Sequence, residues 1–242
     1  MPDTVIITGA SGGIGQALAR KFAEAGASLF LVGNRHREAL ERLAEELNRG
    51  PGSARVCFSD LSAEDGCKAA IREFRVHFKA PDLLINNAGI SRFGLIQDTG
   101  EADYQQILQT NLSSCIRMSR ECVRLMLPGQ RGRIINISSV FGISGASCEA
   151  EYAATKGAIN AFTKSLAKEL APSGISVNAL APGAVDTDMN ARLSPEERTA
   201  LENEIPAGRF ASPAEIAECA YLLSLAPVYL TGQIIAVDGG WY

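Results

Sequence analysis

Thr4-Val-Ile-Ile-Thr8-Gly9-Ala10-Ser11-Gly12-Gly13-Ile14-Gly15 is the stretch whose reading decides the fold. Thr4 to Thr8 is a β-branched run of strand length, and the glycines after it mark a tight turn. Ile14, Leu18 and Phe22 then recur at helical spacing until Gly26 offers a C-cap. Strand, glycine loop and helix in that order present unsatisfied backbone N–H groups and a positive dipole end, a natural seat for a diphosphate. The glycines stand as G-x-x-x-G-x-G rather than the commoner G-x-G-x-x-G.

The same alternation runs through the chain. Strands are expected at 28–32, 55–58, 82–86, 133–137, 176–180 and 234–238, with Leu40, Leu43 and Leu47 marking the second helix. Ser62 to Asp65 reads as a helix start, a long helix is expected over 103–126, and another over 152–170. Ser212-Pro-Ala-Glu215 combines an N-cap with proline at the first helical position. Strands alternating with helices imply an α/β fold: one Rossmann-like, doubly wound parallel sheet of about seven strands, with helices on both faces. No linker, repeat or low-complexity tract interrupts residues 1–242, so a single domain is expected. The segment 184–208 breaks the rhythm and carries its own helix signal at Ser194-Pro-Glu-Glu197, which marks it as a lid over the carboxyl ends of the strands.

Composition bounds the function. The 242 residues are 46% hydrophobic and 21% charged, with a net charge of -4, ordinary for a globular protein and contrary to a general nucleic-acid binder. No secretory signal and no apolar run of spanning length is visible, so a cytoplasmic protein with no membrane partner is expected. The six cysteines lack C-x-x-C or Cys/His clustering and are expected to be buried free thiols, with no metal site. Cys115 and Cys122 share one helix face as packing residues.

Tyr152 and Lys156 lie four residues apart, hence on one face of a helix. An ammonium ~4 Å from the phenol at an effective dielectric of about 20 would favour phenolate by roughly 3 pK units. That shift would suit acid–base chemistry near neutral pH.

Thr8-Gly-x-x-x-Gly-Ile-Gly15, Asp60, Asn86-Asn-Ala-Gly89, Asn111, Ser139, Tyr152-x-x-x-Lys156 and Pro182-Gly183 stand in one order. Over essentially its full length the chain resembles the short-chain dehydrogenase/reductase family. The resemblance implies that Gly9, Gly13, Ile14 and Gly15 hold a dinucleotide diphosphate, that Asp60 and Leu61 flank the adenine, and that Asn87, Ala88 and Gly89 support the adenosine side. It also assigns Ser11, Asn34, Arg35, Pro182, Gly183, Val185 and Thr187, with Tyr152 and Lys156, to the cofactor site. Asn111, Ser139, Tyr152 and Lys156 are the implied catalytic tetrad. Tyr152 would donate a proton, Ser139 would bond the same oxygen, Lys156 would lower the Tyr152 pKa, and Asn111 would hold a water. Ser138 competes with Ser139, which is chosen because it stands thirteen residues before the tyrosine.

The end of the second strand reads Gly33-Asn34-Arg35-His36-Arg37, with no acid before Glu38, which favours NADP(H) over NAD(H). Gly12 occupies the place where many NADP-using relatives carry an arginine. Within the family, 136–142, 152–157, 178–189 and 205–210 look most like β-ketoacyl-acyl-carrier-protein reductases of fatty-acid synthesis. The arginines that would grip an acidic carrier fall at Gln130 and Ser173, leaving Arg124, Arg131 and Arg133 as substitutes. Three readings are open: a ketoacyl-thioester reductase, a reductase for another carbonyl, or an inactive nucleotide binder. The resemblance further implies a homotetramer or homodimer, and the aromatic end, Trp241-Tyr242, is expected to be a docked tail near a neighbouring subunit.

Overall fold

The computed structural model describes residues 1–242. The seven apolar runs form β1 (Thr4–Thr8), β2 (Ser28–Gly33), β3 (Ser53–Phe58), β4 (Leu83–Asn86), β5 (Gly132–Ile137), β6 (Ile175–Pro182) and β7 (Ile234–Val237). All pair in parallel in the order β3-β2-β1-β4-β5-β6-β7. The chain winds outward from β1 through β2 to β3, then returns to place β4 on the other flank of β1. The loops leaving β1 and β4 therefore part in opposite directions, and a crevice opens at their carboxyl ends.

Alternation along the strands supplies two cores. Val5 and Ile7 face α1 (Gly13–Glu24), α2 (Arg37–Leu47) and α9 (Pro213–Leu225). Ile6 faces α3 (Glu64–His77), α5 (Ser114–Met126) and α7 (Ala150–Leu170). The remaining helices are α4 (Glu101–Ile107), α6 (Phe141–Ser144) and α8 (Pro195–Glu204), and no helix is long and apolar enough to cross a membrane.

Three local readings are corrected. The helix expected over 103–126 begins at Glu101 and is split between α4 and α5 by a π-helical stretch, Leu108–Ser113. Apolar periodicity carries no signal for such a widened turn. Ser62 does not cap α3, whose N-cap is Ala63; its N–H and hydroxyl both donate to Asp60 Oδ1 (3.0 and 2.7 Å). Cys57, Cys67, Cys115 and Cys122 are buried, whereas Cys148 and Cys219 are partly exposed.

The expected capping at Ser212 is present as a reciprocal box with Glu215, and Ser194 with Glu197 forms another at the start of α8. The lid is thus folded, with Val185 bridged to Ala211 and Arg198 paired to Asp186 and stacked on Phe210. The aromatic tail docks within its own chain, Trp241 and Tyr242 packing edgewise on Phe141.

A buried polar column fixes α5 and α7 against the sheet. Asn86 Nδ2 donates to Ser119 Oγ and to Asn136 Oδ1, and Asn136 Nδ2 donates to Thr163 Oγ1, all at 2.9 Å. Cys115 Sγ donates to Asn136 Oδ1 at 3.5 Å. Asn136 lies two positions before Ser138, and Thr163 lies on the helix carrying Tyr152, so the column registers the two halves of the candidate site. Asn136→Ala strands partners on three elements and is expected to lower stability by about 2–4 kcal/mol in urea unfolding; a loss under about 1 kcal/mol would show the column to be slack.

Candidate active site

A cleft of ≈580 Å³ runs along the carboxyl edge of the sheet. At one end is the glycine loop. Gly9 has φ +64°, and a Cβ there would sit 2.7 Å from Ala88 Cα; a Cβ at Gly15 would lie 2.2 Å from the Gly9 carbonyl oxygen. These two glycines answer to the protein's own packing. Gly12 meets only the Gly9 oxygen at 3.6 Å, and as the N-cap of α1 it supplies no side-chain cap. The first turn of α1 carries no acid, so its N–H groups and positive dipole end remain available to an anion in the cleft. A dinucleotide diphosphate fits this cradle.

The loop is braced from β4. Asn87 N–H and Ala88 N–H both donate to Thr8 Oγ1 (3.0 and 3.1 Å), and Asn87 Nδ2 donates to the Thr8 and Gly9 carbonyls at 3.0 Å. Ser11, Gly13, Ile14, Asn87, Ala88 and Gly89 line the cleft beside Gly9 and Gly15. Farther along, Asn34, Arg35, Asp60 and Leu61 line it from the ends of β2 and β3. Arg35 forms no ion pair, whereas Arg37 stacks on Phe58 at 4.5 Å, leaving Arg35 the arginine that lines the cleft. Pro182, Gly183, Val185 and Thr187 close the other wall, with Thr187 Cγ2 2.8 Å from where a Gly13 Cβ would stand.

The acid–base end is built by β5, α6 and α7. Ser139 lines the cleft and its Oγ accepts from Phe141 N–H at 3.2 Å. The Ser138 hydroxyl instead donates to Asn160 Oδ1 at 2.7 Å, with the Lys156 carbonyl 3.2 Å away, so it serves the α7 contact. Tyr152 and Lys156 both border the cleft and share one face of α7.

Their electrostatics differ from the expectation. Lys156 Nζ donates to the Ile137 carbonyl at 2.8 Å and lies over the Tyr152 ring, 5.5 Å from its centroid. Burial pushes the phenol up to about 12, with Glu149 adding to the rise and the Ser139 hydroxyl opposing it. Burial likewise pushes the Lys156 amine down to about 8. The net shift of Tyr152 is therefore upward, opposite to the expected lowering by Lys156, and desolvation is its main cause.

Asn111 sits apart from the cleft lining, fully buried within the π-helical stretch. Its Oδ1 accepts from Ile90 N–H and its Nδ2 donates to Ile90 O, both at 2.8 Å, with Thr155 Oγ1 at 3.3 Å. The side chain clamps the backbone after β4 to α7, with both Nδ2 hydrogens engaged and one lone pair of Oδ1 still open. Gln106 and Thr110 reach the cleft from the same helical run, and Asp188, Met189 and Asn190 from the lid. None had a sequence signal beyond lying next to Asn111 or within the lid. Of the arginines named for a carrier, Arg124 pairs with Glu121 and Arg131 with Asp82, each at 2.9 Å and both still exposed, and Arg131 and Arg133 lie at the opposite end of β5 from Ser139.

A family model described as short chain dehydrogenase matches residues 3–198. An uncharacterized oxidoreductase of Bacillus subtilis, YmfI, is 43% identical over the whole of both chains. The 3-oxoacyl-[acyl-carrier-protein] reductase FabG of Vibrio cholerae is 39% identical over 98% of this chain and 96% of that protein. The crystal structure of a 3-oxoacyl-[acyl-carrier protein] reductase from Brucella melitensis superposes with a TM-score of 0.92 at 36% identity, covering 99% of this chain and 91% of the other.

The burial of Lys156 has a measurable sign. Between its folded value of about 8 and the ordinary 10.5, the unfolded chain holds a proton that the native chain does not, so stability rises with pH through that window. Tyr152 acts oppositely but only between 10 and about 12, and does so in any Lys156 variant that keeps it. In urea unfolding of the protein without added ligand, wild type is expected to gain on the order of 3 kcal/mol relative to Lys156→Met across that window. A difference flat with pH would show that Lys156 keeps its ordinary affinity for the proton.

Proposed function

The chain belongs to the short-chain dehydrogenase family and is an oxidoreductase, and from that membership we propose that it reduces the ketone of a 3-oxoacyl thioester borne on acyl carrier protein, with NADP(H) as the preferred cofactor. The observation that carries the reading is one cleft in which an uncapped helix N-terminus and a Tyr152–Ser139 pair lie at opposite ends, joined along a single sheet edge. The relatives' names supply the substrate class.

A bound dihydronicotinamide would supply the hydride. Tyr152 delivers a proton to the carbonyl oxygen as negative charge grows there, and Ser139 donates a hydrogen bond to the same atom. Burial keeps the phenol protonated at neutral pH, so the donor is loaded before substrate arrives. Lys156, held by the Ile137 carbonyl beside the Tyr152 ring, would bond the cofactor's ribose. Asn111 acts through structure, holding the Ile90 backbone and hence the Gly89 wall.

Arg35 is the residue placed to meet a ribose 2′-phosphate, and the lack of an acid before Glu38 removes the group that would repel one. A second reading, a reductase for a carbonyl not borne on carrier protein, is favoured by the pairing of Arg124 and Arg131 within the chain. Leu222, Leu225 and Tyr229 are exposed on and just after α9, beside the edge strand β7, which supports a homodimer or homotetramer.

Tyr152→Phe is expected to retain cofactor binding and to lose at least about 100-fold in kcat, the range of a positioned acid; a variant keeping more than about a tenth of wild-type rate would remove Tyr152 from the role. Arg35→Glu should raise the KM for NADPH at least about tenfold and leave that for NADH within about twofold; equal changes for both would discard the 2′-phosphate assignment. Rates on acetoacetyl-carrier-protein, acetoacetyl-coenzyme A and simple ketones separate the two substrate readings.

A further inference from the structure

One ion pair of the lid has no part in the scheme above. Glu149 immediately precedes α7 and stands one helical turn before Tyr152. Its carboxylate is 8% exposed, and its one cationic partner is Arg192 of the lid, 2.6 Å away. The Arg192 guanidinium, 39% exposed, also lies 4.3 Å over the ring of Phe93, from the segment that follows β4. Three elements that border the substrate end of the cleft thus meet at one pair. A buried carboxylate stripped of its partner is costly, so the lid is held where Arg192 can reach Glu149.

We propose that the Glu149–Arg192 pair is the catch that seats the lid over the site and that, by neutralising Glu149 beside Tyr152, it makes the phenol a stronger proton donor only while the lid is down. This rests on the reading of Tyr152 as the proton donor. Glu149 is a negative charge one turn from the phenol and favours its protonated form. With Arg192 docked, the pair presents a dipole whose effect at the phenol is smaller than that of the bare carboxylate. Lid opening returns the full negative charge, and Tyr152 becomes a more reluctant donor. Proton transfer is thereby tied to enclosure of the substrate.

The other groups around Tyr152 do not duplicate this device. Ser139 faces it from the end of β5, and Lys156 lies one turn farther along α7, with Cys115 of α5 behind it. Arg92 and Asp103, from the segment after β4 and from α4, are paired with each other. Asp188 lines the cleft from the lid, and Glu151 lies on α7 itself. Among these, Arg192 alone is a cation carried by the lid and bound to a carboxylate of the Tyr152 helix.

Two readouts test the inference. The first, hydrogen exchange of the amides in 184–208, needs no substrate: Arg192→Gln should speed exchange there at least about tenfold, and Arg192→Lys should restore much of the protection. The second is the pH dependence of alcohol oxidation, which rises as Tyr152 ionises and levels off at its pKa. That limb should shift to higher pH in Arg192→Gln, read as a severalfold lower oxidation rate at any fixed pH on its rise. In the double variant Glu149→Gln with Arg192→Gln it should return near its original place while the lid stays unprotected. Unchanged exchange in Arg192→Gln would overturn the catch, and a limb displaced equally in the single and double variants would overturn the electrostatic half. Failure of the proton-donor reading looks different, since Tyr152→Phe would then stay active and no variant would move the limb.

Discussion

Two strands that leave a sheet in opposite directions must be held together where they part. Here the task falls to Thr8 and Asn87. The Thr8 hydroxyl takes two N–H donors from the start of the β4 loop, and the Asn87 amide returns two bonds to the carbonyls of Thr8 and Gly9. Without that exchange, the glycine loop and the Gly89 wall would be independent loops. With it they form one rigid lip, against which α1 presents its N-terminus and Asn111 fixes the next residue, Ile90.

Behind the lip the molecule holds polar groups where an apolar core would be simpler. Asn86, Asn136 and Thr163 run through the interior as a hydrogen-bonded series, and Lys156 is buried with the Ile137 carbonyl as its one direct partner. The column is fully satisfied, so it costs little and fixes register. Lys156 is a different case: its charge is disfavoured by burial, as is that of Tyr152. Strain of this kind persists where surrounding structure over-determines it, and here that structure is β5 on one side and α7 on the other.

The sequence was most informative where one physical signal dominates. Apolar β-branched runs located every strand within a residue or two, and serine-to-glutamate spacing located the starts of α8 and α9. The residues that the family resemblance implied on the glycine loop, at the ends of β2 to β6 and on α7 do border one cleft, and Ser138, unlike Ser139, spends its hydroxyl on Asn160. What escaped depends on three-dimensional balance. The π turn leaves no periodic trace, so Asn111 could be named but not placed. Helical spacing predicted that Tyr152 and Lys156 would share a face, yet gave no measure of the burial that reverses the expected shift. Glu149 and Arg192, forty-three residues apart, meet only because the lid folds back.

The helix of that lid has one more property. No residue of α8 is buried, although capping at Ser194 and the Arg198 pairs hold it in shape. Its surface can therefore be rewritten without disturbing either core, since the anchors lie at its start, in Arg198 and in the segment before it. A gene duplicate of this chain would carry changes on α8 while folding as before, with both halves of the cleft left as they are.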